Sequence, residues 1–188
     1  MRYKISQCHN YPLDKIKTFL IGPDLDLWEP IDDKERQDFI LWKGNSKQFV
    51  KDVEFGLELQ KHLEGKYKFK FIGYPNPYNY NDHISLAKKA KLQIITSLSE
   101  TMSLSMLEGW CSKVPSISHP KIYMFGKNYE TGIVTNKTIQ DYAEAINELI
   151  NDEQLYMNIS SSCRNFILEN FHPNIINKRY EEILDLVK

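Results

Sequence analysis

The chain has 188 residues, 41% hydrophobic and 26% charged, with 24 basic against 25 acidic side chains and a net charge of −1. That length suits one domain, or one domain with a short appendage, and the composition excludes disordered, collagen-like and coiled-coil classes. A charge so close to balance excludes a dedicated nucleic-acid binder, whose phosphate contacts need a basic surplus.

No run approaches the roughly 18 apolar residues of a membrane-spanning helix. The start, Met1-Arg2-Tyr3-Lys4-Ile5, lacks the apolar core of a signal peptide. Cys8, Cys111 and Cys163 are too scattered for a disulfide framework or a metal knuckle. The expectation is a soluble, cytoplasmic protein in a reducing compartment. Sequons at Asn136 and Asn158 are read as chance matches in that setting.

Residues 1–37 read as a linker-like lead-in, punctuated by Pro12, Gly22, Pro23 and Pro30, with at most one short strand. The regular pattern occupies 38–188. Phe39 to Trp42 is a short apolar strand ended by Gly44-Asn45-Ser46. Phe49, Val50, Val53, Leu57 and Leu63 then recur at helical spacing up to Gly65. Residues 67–72 alternate aromatic with lysine as a second strand closed by Gly73. A Tyr/Asn/Pro loop follows from Tyr74, and Asp82 is placed to cap a helix to about Lys89. Residues 92–96 form a third strand, a helix runs through Leu104, Leu107 and Cys111, and 114–117 form a fourth strand. After the Gly132-Ile133-Val134 segment, helices are predicted over 138–151, 153–169 and 173–187, broken at His172-Pro173. Strand and helix alternate, so the fold class is α/β: a Rossmann-like, doubly wound parallel sheet with a C-terminal helical tail. In such sheets ligands sit at the carboxyl ends of the strands.

Most catalytic templates are absent: no G-x-G-x-x-G, no Walker A loop, no H-E-x-x-H and no G-x-S-x-G. His9, His62, His83, His119 and His172 show no ligand spacing and read as surface or packing residues. Asp24-Leu25-Asp26 is a literal D-x-D, but it lies in the lead-in and not at a strand end. The informative segment is SLSETMSLSMLEGWCSKVP at 97–115, which follows the third strand and opens a helix. Glu100 falls in the turn and Glu108 about two turns into that helix. The main-chain N–H groups near Met102, Ser103 and Leu104 make an anion site strengthened by the helix dipole. Carboxylates on either side suit the hydroxyls of a sugar or ribose, being acceptor-only groups. Spacing alone leaves a second reading open, in which Glu100 caps the helix and Glu108 lies on a solvated face.

Residues 92–115 resemble the donor-site signature of retaining GT-B glycosyltransferases of group 1 (family 4-like), with its Glu-x7-Glu motif and following Val-Pro. Phe19 to Pro30 resembles the linker into the family's C-terminal domain, which accounts for the D-x-D without a metal. Ile40 to Asp52 resembles the first strand and its glycine-basic turn. Glu130 to Val134 resembles the loop after the fourth strand, and 141–180 the closing helices. The resemblance covers most of 16–185 and implies roles. Glu100 would face the donor sugar as the catalytic carboxylate, and Glu108 would bind the ribose hydroxyls. The amides of Met102, Ser103 and Leu104 would hold the phosphates with Gly44, Lys47 and Lys51. The base would sit near Gly73 and Tyr74. The sequence departs from the family at Asn45, where an arginine is usual, at Lys51, which comes one residue late, and at Lys113, which replaces a glycine. The connection from Gly73 to Leu92 is also short and lacks room for a strand the family normally has.

The implied function is binding of a nucleotide-sugar donor by one half of a retaining, hexosyltransferase-type enzyme of polysaccharide or glycoconjugate synthesis. No cofactor or metal is expected. The family's other half, an N-terminal acceptor domain, would act in cis or as a partner chain in trans, with any peripheral membrane contact made through it. The linker-like lead-in favours a piece of a longer enzyme. The alternatives are a non-catalytic module of the same fold whose nucleotide site has decayed, and a GT-B-like sugar-nucleotide epimerase.

Overall fold

The computed structural model describes residues 21–75, 79–100, 102–122 and 128–185. The lead-in before 21, with Cys8, His9 and Pro12, lies outside the described residues. So do the centre of the tyrosine loop at 76–78, Thr101, and the predicted end of the last helix at 186–187.

Five parallel strands form one sheet: β1 (Phe39–Lys43), β2 (Lys68–Ile72), β3 (Leu92–Ile94), β4 (Ser116–Ser118) and β5 (Gly132–Val134). Their order is β2-β1-β3-β4-β5. The helices are α1 (Val53–His62), α2 (Tyr80–Lys89), α3 (Leu104–Cys111), α4 (Ile139–Asn151), α5 (Glu153–Phe171) and α6 (Pro173–Asp185). Chain order reverses at β1: α1 leads outwards to β2, and α2 carries the chain back across to β3. Right-handed crossovers therefore put α1 on one face and α2 and α3 on the other. The α/β expectation is met. The Gly73–Leu92 connection holds one helix and no strand among its described residues.

The core is the sheet and the inner faces of these helices. Phe39, Ile40, Leu41 and Trp42 are all buried, as a central parallel strand covered on both faces requires. On α3, Met106, Leu107, Trp110 and Cys111 are buried with Gly109 between them. A Cβ on Gly109 would stand 2.0 Å from the Gln93 amide of β3, so helix and sheet meet more closely than an alanine allows. Helix α4 is capped by Thr138, whose side chain accepts the Asp141 N–H, and its Tyr142 hydroxyl donates to Ile95 O at 2.8 Å. Asp152 caps α5 through Leu155 N–H. His172 is extended because Pro173 excludes the helical region for the residue before it, which separates α5 from α6.

Four local expectations change. Gly132 to Val134, read as part of a loop, is an edge strand pairing with β4. It is only three residues long and carries no alternation of its own. Phe49 and Val50, read as the start of the first helix, lie in a 3-10 turn with Phe49 86% exposed. Asp52 then takes a left-handed conformation (φ 48°) and caps α1 through Phe55 N–H, so the helix starts at Val53. Helix α2 is capped by Asn79, which accepts Asn81 N–H, and not by Asp82. Helix α5 continues to Phe171, which is buried and extends the apolar contact past Glu169.

The lead-in from residue 21 packs on this body. Trp28 is buried and its carbonyl accepts the Ser112 hydroxyl at 2.9 Å. Arg36 donates to the carbonyls of Ala90 and Ser112, tying the lead-in to the loops beside α2 and α3. Asp24 Oδ1 accepts the N–H groups of Asp26 and Leu27, so the D-x-D motif builds an exposed turn.

Three predictions follow from the packing. Gly73 (φ 87°) faces Gly44 O, which a Cβ would approach to 1.9 Å. Gly73→Ala should therefore cost roughly 2–4 kcal/mol by urea unfolding, from strain plus collision with a main-chain atom. Lys113 takes the left-handed C′ position of α3 (φ 60°), with its N–H on Trp110 O and the Val114 N–H on Gly109 O, a Schellman closure. Lys113→Gly should raise stability by about 1 kcal/mol, since glycine takes that conformation without a Cβ penalty. His119 is buried and its Nε2 donates to Ser97 O at 2.7 Å. Burial, more than any other influence, lowers its pKa from the ordinary 6.5, and the half-buried His83 shifts the same way. The unfolded chain then takes up protons first, so the stability of the neutral form is lost as pH falls from about 6.5 through the folded value. The melting temperature should drop between pH 7 and 5, and His119→Gln should flatten that slope.

Candidate functional site

The reversal of strand order at β1 leaves a crevice at the carboxyl ends of β1 and β3, the place where a doubly wound sheet binds ligands. The turn after β1 forms one wall. Gly44 N–H donates to Ile72 O and Ser46 N–H to Gly73 O, so the turns after β1 and β2 are joined. Asn45 is spent inside this turn: its side chain accepts Lys47 N–H and its carbonyl accepts Gln48 N–H. The loop after β3 forms the other wall. Thr96 accepts the Trp42 indole N–H at 2.8 Å, and its hydroxyl reaches the carbonyls of Lys51 and Asp52. Leu98 N–H donates to Val50 O at 2.8 Å.

These ties bring two glutamates and two lysines together. Glu100 accepts hydrogen bonds from Lys51 Nζ and from the Ser97 hydroxyl. Glu108 accepts one from Lys43 Nζ. Lys43 ends β1, and its ammonium lies 4.7 Å from the centre of the Trp28 ring. Burial pulls the Lys43 pKa below the ordinary 10.5, while the Glu108 carboxylate pushes back. A third pair, Lys137 with Asp52, braces the start of α1 beside them.

The crevice encloses a cleft of about 580 Å³. Of the residues expected in the site, Gly44, Lys47, Lys51, Leu104 and Glu108 line it. Glu100 is reached through Lys51. Met102 packs against the core, and Ser103 is the buried N-cap of α3 without a side-chain cap bond. Tyr74 turns edge-on to Phe71, with ring centres 6.1 Å apart, while its neighbours Gly73 and Pro75 line the cleft. Ser103 O takes the N–H groups of both Met106 and Leu107, so the donors the helix leaves unused on the cleft side are those of Leu104 and Ser105. Helix α3 begins at Leu104, which puts Glu108 just over one turn in and not two. Of the expected amides at 102–104, Leu104 lies in the cleft lining, with Ser105 beside it.

Lys43 and His83 also line the cleft, outside the expected set. Lys43 closes an all-apolar run, and a lysine at the carboxyl end of a buried strand is a signal that is legible in retrospect. His83, read as a surface or packing residue, lines the cleft from the first turn of α2 while packing on Trp28 with ring centres 5.8 Å apart. Nothing in its local sequence marks it. With Lys43 paired to Glu108 and Lys51 to Glu100, the cleft keeps Lys47 and a helix start in excess, a balance that favours an anionic ligand. Among the described residues, no cluster of three His, Cys, Asp or Glu side chains is placed to hold a metal ion, and no helix is long and apolar enough to cross a membrane. A second cavity, of about 450 Å³, lies at the amino ends of the strands, but its Arg36 is committed to main-chain carbonyls.

No curated protein sequence matches the chain. Among solved structures, a glycosyltransferase from Rickettsia africae ESF-5 aligns with a TM-score of 0.80 at 16% identity, over 100% of this chain and 61% of that one. Anabaena Alr3699/HepE, solved with UDP and glucose, aligns with a TM-score of 0.79 at 15% identity, over 98% of this chain and 60% of that one. The C-terminal domain of the glycosyl transferase group 1 family protein LpcC from Francisella tularensis aligns with a TM-score of 0.62 at 17% identity, over 81% of this chain and 100% of that one. At such identities the likeness is one of fold. This chain spans about three fifths of the Rickettsia and Anabaena chains and has the fold of the C-terminal half of a GT-B enzyme. Residues 50–166 match the family described as Glycosyl transferases group 1. That match takes in Lys51, Glu100 and Glu108 and covers more than half of the sequence, so the chain belongs to the group 1 glycosyl transferase family.

Proposed function

We propose that the cleft binds a nucleoside-diphosphate sugar, and that the chain is the donor half of a retaining glycosyltransferase. The observation that carries this reading is the placement of Glu108, Lys51 and the start of α3 around one cleft at the strand reversal, with Glu100 on Lys51. The ribose hydroxyls donate to Glu108, the base lies toward Gly73, Pro75 and His83, and the diphosphate meets Lys47, Lys51 and the N–H groups of Leu104 and Ser105. Glu100 faces the sugar. In the reaction the bond from the anomeric carbon to the donor phosphate oxygen breaks and the electron pair leaves with the diphosphate. The lysines and helix N–H groups stabilise that charge. The acceptor hydroxyl oxygen forms the new glycosidic bond on the same face and passes its proton to a phosphate oxygen of the departing diphosphate.

The neighbour solved with UDP and glucose supports a nucleotide-sugar ligand, and the share of the longer neighbours left uncovered supports an acceptor domain in cis or in trans. We read the transferred group as a hexose, the product as a polysaccharide or glycoconjugate, and the reaction as needing no metal. The two described thiols, Cys111 and Cys163, are free and buried, which fits a cytoplasmic site of action.

Calorimetric titration with UDP, GDP and ADP, then with their sugar conjugates, tests the reading. One nucleotide should saturate the site, with Kd down to about millimolar for this half alone. Glu108→Gln should weaken nucleotide binding at least about tenfold, as expected for lost hydrogen bonds to a charged acceptor. Glu100→Gln should spare the nucleotide and remove the increment the sugar adds. Silence from all three nucleotides would instead favour the decayed, non-catalytic module, a reading that the commitment of Asn45 to its own turn also favours.

A further inference from the structure

The two lysine–glutamate pairs of the cleft are arranged with opposite polarity. In the Lys43–Glu108 pair the lysine side chain is 7% exposed and the glutamate 23%, so the carboxylate is the outer member. In the Lys51–Glu100 pair the lysine is 21% exposed and the glutamate 14%, so the ammonium is the outer member. The cleft lining agrees, since it includes Glu108 and Lys51 and not Glu100. Lys43 also lines the cleft, but it is enclosed between the Trp28 ring and Glu108. If Lys43 swung out to meet a ligand phosphate, Glu108 would lose its counter-charge and Trp28 its cation.

We propose that Lys43 is a positioning residue, holding Glu108 from beneath so that the carboxylate's remaining lone pairs face the hydroxyls of a ribonucleotide, while Lys51 is the lysine that exchanges its glutamate for the ligand's phosphates. The inference rests on the nucleotide-sugar reading and adds a division of labour to it. One lysine sets recognition of the ribose, and the other sets recognition of the diphosphate. Trp28 gives the lead-in a part in the site, because its ring backs the Lys43 ammonium.

The test uses the chain with whichever of UDP, GDP or ADP binds it, together with the matching monophosphate and the 2′-deoxy diphosphate. Two ratios are read by calorimetry: ribo- over deoxy-diphosphate, and diphosphate over monophosphate. Wild type should prefer the ribonucleotide by about tenfold, the scale of one hydrogen bond to a charged acceptor. Lys43→Met should bring the first ratio to near one and leave the second unchanged. Lys51→Met should do the reverse. Lys43→Gln, which still donates to Glu108, should retain part of the preference and serves if Lys43→Met does not fold. In the Lys43→Met/Glu108→Gln double variant the preference should be no lower than in Glu108→Gln alone. A Lys43→Met variant that keeps the ribose preference and loses the diphosphate gain would overturn the assignment and make Lys43 a phosphate ligand. Absence of nucleotide binding to the wild-type chain would overturn the functional reading itself, and this assignment with it.

Discussion

The Thr96 hydroxyl accepts the indole N–H of the buried Trp42 and reaches the carbonyls of Lys51 and Asp52, and the arrangement of the cleft depends on that junction. Thr96 follows β3 and Trp42 belongs to β1, so one side chain joins the two strands at which the sheet reverses. In a dry interior such a chain of hydrogen bonds is stronger than its members would be in water, and each unmade bond is costly. The junction sets the end of the β1 turn, and with it the left-handed Asp52 that caps α1 and pairs with Lys137. It also sets where Lys51 stands against Glu100.

Charge is the second constraint. Paired ions removed from water recover their desolvation cost only with good geometry and further hydrogen bonds. Glu100 has both, through Lys51 and Ser97. Glu108 has Lys43, itself backed by the Trp28 ring, and keeps part of its surface toward the cleft. Within each pair the charges offset one another, and the remaining Lys47 and the start of α3 bias the cleft toward an anion. Burial also lowers the pKa of His119, whose Nε2 donates to Ser97 O in the loop after β3.

Much of the fold was legible because its signals are local. The apolar run at Phe39 to Trp42, the glycines after β1 and β2, and the helical spacing through α3 each reflect an element buried in one way along its length. Elements too short for a pattern are not legible, and the three residues of β5 carry none. Phe49 and Val50 show the opposite failure. Their apolar spacing imitates a helix, but Asp52 starts α1 only after them, and they stand exposed in the preceding turn.

For the site, the sequence by itself determined the two glutamates, their place after β3, the basic turn after β1 and the family resemblance, because each is a matter of residue type and order along one segment. Only the tertiary structure decided which groups meet. It gave Lys43 to Glu108 and Lys51 to Glu100, turned Tyr74 onto Phe71, brought His83 in from α2, and set Ser105 beside Leu104 in the cleft lining. Those outcomes depend on strand order and on the register between loops far apart in the chain, and no local spacing encodes either.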